Sequence, residues 1–229
     1  ISISAADDVT QAAAGDITST SGTIDVLAVS GAISMNDGAV TATTDKDIRL
    51  VAGTDVTLGS LTAGTGSVSV IAGESILDGG DTDVDVIADG LRLVSGGNIG
   101  SATESLDTTI NVLSATAGGL ISVDETAAVV IDAVTVTISR VSDTGEVADV
   151  VDAAQSDLTA VGAILLSSTA GDITINDGDT DGLGLSSGGV TRVIAESGSV
   201  LINSGVKATN AISISAADDV TQAAAGDIT

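Results

Sequence analysis

The 229 residues contain no Phe, Tyr, Trp, Pro, Cys or His. Without cysteine there are no disulfides, which suits a chain that must cross membranes unfolded. Without aromatic residues there are no large core anchors and no stacking platforms of the kind that carbohydrate sites use. Without histidine, and with few basic groups to tune a carboxylate, acid–base catalysis lacks its usual parts. Lys and Arg together number six against 32 Asp and Glu, a net charge of −26. That balance argues against nucleic acid, whose phosphates need basic partners, and favours cations. No apolar run approaches the roughly 20 residues that span a bilayer, and no signal peptide is present in the window.

What remains is aliphatic. Apolar residues make up 43% of the chain, all but one of them Val, Ile, Leu or Ala, and 28 Gly punctuate them together with Ser, Thr and Asp. Short β-branched runs between turn residues are the signature of many short strands, not helices. The positive mean hydropathy and regular aliphatic spacing argue against disorder, because a disordered chain lacks apolar surface to offset chain entropy.

The chain is organised by repetition. ISISAADDVTQAAAGDIT opens it at Ile1 and returns unchanged from Ile212 to Thr229. Residues 1–211 therefore read as one repeat and 212–229 as the start of the next. With no Met in front and a copy cut part-way, the expectation is a window on a longer tandem array. Aligning on an I-x-V-x-A element divides the repeat into nine segments of 19–29 residues, beginning near 1, 23, 47, 67, 91, 110, 134, 163 and 190. The frame is loose at Val134 and Ala163. Units this small cannot bury their own apolar face and must stack. A β-sandwich of this size would normally carry aromatic anchors and edge prolines. The composition instead predicts an all-β, right-handed parallel β-helix, a β-solenoid of about nine coils per 211-residue repeat. At a strand spacing of about 4.8 Å, nine coils would rise roughly 43 Å.

The G-[DN]-[IV] steps at Gly15, Gly97 and Gly171, the VxxxAG turns and the aromatic-poor, cysteine-free composition resemble the repeat regions of filamentous haemagglutinin-type adhesins and related giant bacterial surface proteins. The resemblance covers the whole chain in style without a specific motif. It implies a secreted, cell-surface β-helical shaft, and carries over no catalytic or binding residue.

Two kinds of candidate site emerge. Asn176-Asp177-Gly178-Asp179-Thr180-Asp181-Gly182 matches the opening of a calcium loop, in which alternate carboxylates converge while Gly allows the turn. Asp177, Asp179 and Asp181 are the candidate calcium ligands. Gly188 stands where an EF-hand loop has its bidentate Glu, so useful affinity requires ligands from a neighbouring coil; the alternative is a solvated turn. Asp78, Asp81, Asp83 and Asp85 form a second acidic insertion without the glycine. The other site is the outer side of the main strand ladder. Its second position reads Ser2, Asp25, Arg49, Ser69, Arg92, Asn111, Thr135, as a solvated face should. Its fourth position reads Leu27, Val51, Ile71, Val94 and Leu113 where strict alternation points outward. These five either turn inward at a bend or form a stripe for lateral association between shafts. The expected function is a structural extracellular filament or adhesin shaft, not an enzyme, whose partner is itself. The alternative is a module binding calcium or a cell-surface partner.

Overall fold

The computed structural model describes residues 1–79 and 83–229. The chain is all-β, and parallel strands stack coil upon coil into a β-solenoid of about nine turns. No helix occurs among the described residues, so none is long and apolar enough to cross a membrane.

Each coil is a short alternating strand, a tight corner, and one or two further strands. The alternation decides which residues enter the lumen. Along Ile24–Ala28, Ile48–Ala52 and Ser67–Ala72 the alternate members Ile24, Val26, Ala28, then Ile48, Leu50, Ala52, then Val68, Val70, Ala72 are all buried. Parallel register places like on like: Val26 on Leu50, Leu50 on Val70, Val70 on Leu93, Leu93 on Ala115. A second column runs Val9, Ile33, Val56, Ile76, Ile99, Ile121, Ile164. One continuous cluster of aliphatics results. The lumen is filled by branched side chains one layer at a time, and no aromatic ring is needed.

The Ala-Gly step of the VxxxAG turns has a steric cause. Ala28, Ala52 and Ala72 stack at the strand ends, and the residues after Ala52 and Ala72 pass so close to the coil before that only glycine fits. A Cβ on Gly73 would lie 2.1 Å from the Gly53 carbonyl oxygen, and one on Gly96 would lie 2.1 Å from that of Gly73.

Asp and Asn at the corners have a backbone task. The side chains of Asp8, Asp16, Asp47, Asp55, Asn98 and Asp172 each accept an N–H of the following coil, from Ala32, Val40, Ser67, Ser75, Leu120 and Ser199, at 2.7–3.2 Å. The chain must leave the parallel ladder at each corner, and these oxygens satisfy amides that the ladder no longer serves.

The segment that starts at Val134 departs from the coil frame. Val134–Val141 and Val147–Gln155 form an antiparallel hairpin outside the solenoid. It crosses the coils and lies over the outer side of the first column, with Val134, Val136 and Ile138 packed down and Val112 and Val150 completing a small second core. The second copy continues the stack without a break. Ile212–Ala216 pairs with Thr191–Ala195, and Val220–Gln222 with Val200–Ile202. Its starting residue does not return to the column of Ile1. From Val9 to Ile212 the second column makes eight turns. The 211-residue period is thus eight turns and part of a ninth, and the copy begins on another side of the rod.

Candidate functional site

The acidic turn is built on the corner after Ile173–Ile175. Asp177 turns back on its own loop: its Oδ1 accepts the N–H of Thr180 at 2.6 Å and of Asp179 at 3.2 Å, and its Oδ2 accepts that of Gly182 at 2.8 Å. Gly182 has φ +87°, the left-handed conformation the turn needs. Asp179 and Asp181 stay exposed at the rim. A fourth carboxylate comes from the neighbouring coil, where buried Asp157, in the left-handed region at φ 64°, accepts the Gly178 N–H at 3.0 Å. One oxygen from each of Asp157, Asp177, Asp179 and Asp181 lies within 4.8 Å of the others. Donors on a single calcium ion, each at about 2.3–2.6 Å, have that spread. Burial pushes the Asp157 carboxyl above its ordinary value, against the Gly178 N–H that favours the charge, and the like charges of Asp179 and Asp181 add to the rise. At Asp177 desolvation also pushes upward, but the N–H groups of Gly182, Thr180 and Asp179 outweigh it and the carboxyl titrates low.

Among the described residues, the second acidic insertion contributes no carboxylate to such a cluster. Asp81 lies outside the described residues. Asp85 is buried and accepts the Asp107 N–H at 2.9 Å, a corner role, and Asp78 lines a cleft with Glu104, Asp107, Asp124 and Arg192.

On the outer ladder, Leu27, Val51, Ile71 and Val94 stack one above another and are half-buried, flanked on both sides by core residues. Leu113 corrects the register: it is fully buried and pairs with Leu91, while Thr116 takes the place above Val94. Likewise Ser114, not Asn111, follows Arg92, and Thr135 is a hairpin residue. The chain turns a corner inside one long strand, Leu106–Ala117, and Ile110 ends the preceding side instead of opening a coil.

The second-position ladder is polar but is not solvated. The hairpin covers it, and Asp25 and Ser69 are buried beneath. Arg49 binds Asp25 at 3.3 Å and Asp152 of the hairpin at 2.9 Å. Arg140 of the hairpin reaches the other Asp25 oxygen at 2.5 Å. Arg92 donates to the Ala153 carbonyl at 3.2 Å. Three of the six basic residues therefore hold this hairpin down.

No family model matches the chain, and no characterised protein or solved structure matches it.

One ionisable group inside the lumen is not among the residues that the sequence pattern singles out. Glu125 is fully buried, accepting the Thr108 hydroxyl at 2.7 Å and the N–H groups of Ile110 at 3.1 Å and Ala127 at 3.0 Å. Burial pushes its carboxyl up to about 7 despite these donors. The signal was present, because Ile121, Val123 and Glu125 share one face of an alternating strand.

Proposed function

We propose that the chain is part of a structural filament outside the cell, an adhesin shaft or surface fibre lengthened by tandem copies of the 211-residue unit, with no catalysis. The observation that supports this reading is the junction: the second copy pairs on the last coil of the first in unbroken parallel register. A solenoid continued in this way pairs every strand edge with the next coil and leaves edges open only at its ends. The reading is tested by electron microscopy of chains with increasing copy number. Rod length should grow by roughly 40 Å per copy, from eight turns and part of a ninth at about 4.8 Å each. Compact beads of constant size would overturn it. Half-buried Leu27, Val51, Ile71 and Val94 remain the proposed contact where such shafts meet side by side.

A second reading, a calcium-binding module, is favoured by Asp157. The loop alone lacks a ligand at Gly188, and the neighbouring coil supplies a carboxylate that converges with Asp177, Asp179 and Asp181. Calorimetric titration should then saturate at one calcium per copy and lose that step in Asp179→Ala. Heat that sodium or magnesium reproduces would reduce the site to diffuse screening.

A further inference from the structure

We infer that the hairpin is a clasp between repeats, its acidic tip seating on Arg192 of the preceding copy. The inference rests on the head-to-tail stacking proposed above, and on how the hairpin walks down the rod.

Alternate amides of its first strand are each held by an outward oxygen of a successive coil. Thr137 N–H donates to Asp47 at 2.9 Å, Ser139 N–H to Thr23 at 2.9 Å, and Val141 N–H to Ser2 at 2.8 Å. Two residues of strand thus advance one coil. The next step reaches Asp143, past the coil of Ser2, where residues 142–149 are exposed. The turn is closed by Ser142 and Glu146, with Gly145 at φ +82°, so its shape does not depend on support from below.

The second copy identifies what lies under that step. Ser213 repeats Ser2, and it pairs with Arg192 of the coil before. Arg192 occupies the second strand position there, as Arg49 and Arg92 do in the coils already under the hairpin, and it is exposed. Across a junction the covered ladder would read Arg92, Ser69, Arg49, Asp25, Ser2, Arg192. The tip offers exposed Asp143 and Glu146 to this last arginine, opposite in charge and one step beyond an interface already held by Arg49, Arg92 and Arg140. Val141 and Val147, 44% and 65% exposed, would be covered by the same contact.

The test uses a chain with two consecutive copies of the unit, treated with a Glu-specific endoproteinase and followed at Glu146. The first tip has no coil before it and the second has one, so each molecule carries its own reference. Cleavage in the second copy should be at least several-fold slower. Arg192→Glu in the first copy should remove that difference, and adding Asp143→Lys in the second copy should restore it. Equal cleavage at both tips in a chain that forms one straight rod by electron microscopy would overturn the clasp and leave the filament standing. Two rods joined by a break would overturn both.

Discussion

Replacing Glu125 by Gln should remove one identifiable part of the pH dependence of stability. In the unfolded chain this carboxyl titrates near 4.5, and in the fold near 7. Between those values the folded state holds a proton that the unfolded state releases, so stability falls as pH rises from 4.5 to 7 and levels above. The separation of about 2.5 units corresponds to roughly 3 kcal/mol, at about 1.4 kcal/mol per unit. Gln fits the same space. Its oxygen can accept from Ala127 and Ile110, while its amide faces Thr108, whose hydroxyl can turn toward the Asp124 carbonyl 3.5 Å away. Denaturant midpoints followed by far-UV circular dichroism, the suitable probe for a chain without Trp or Tyr, would be measured for both proteins from pH 4.5 to 8.5. The two should be close at pH 4.5, with Gln the more stable by about 3 kcal/mol at pH 8. The many surface acids contribute to both curves and cancel in the difference. Parallel curves would refute the assignment of a buried, protonated Glu125.

Other substitutions test the packing. Gly96→Ala places a Cβ 2.1 Å from the Gly73 carbonyl oxygen and must push two coils apart, costing on the order of 3 kcal/mol in thermal or chemical denaturation. Leu113→Asp buries an unpaired charge and should prevent folding, whereas Ile71→Asp, half-buried on the outer side, should cost far less; comparable losses by circular dichroism would refute the inward placement of Leu113 opposite Leu91. Arg49→Ala leaves buried Asp25 and Asp152 short of a partner, and should destabilise by roughly 3–5 kcal/mol while raising the rate of Glu-specific cleavage at Glu146. Calcium affinity at Asp157, if the ion binds, should decline as pH falls at values above those for an ordinary aspartate, because burial makes protons stronger competitors there.

The solenoid could be read from the sequence because its causes are local. Aliphatic alternation sets the inward face, and glycine after alanine marks the crowded corner. The frame matches the coils from Ile24 through Leu91 and slips at Ile110, where both INVLS and LSATA satisfy the same pattern and only the corner between them decides. The hairpin was hidden for the same reason: VTVTI from Val134 alternates as any coil strand does, and nothing within it says that its apolar face meets the outside of the rod. The structural role of most corner acids was not legible. Asp16, Asp55 and Asp172 look like solvated turn residues, but each serves an amide about 20–27 residues further on, beyond the reach of a local pattern. The calcium loop was legible as far as Asp177, Asp179 and Asp181, and Asp157 was not, since it joins them only through stacking.

The unequal fit of period and turn bears on how such rods would meet. The copy of the first strand lies on a different side from the original, so in a head-to-tail array each hairpin and each acidic corner leaves the axis at a new azimuth. The decoration follows a screw. Two straight neighbours could then touch only at intervals, where matching sides come round together, and could not zip along one edge. A ligand approaching from any direction, by contrast, would find the same acidic corner within a few copies, which suits a stalk that presents itself all round and meets its own kind only at spaced points.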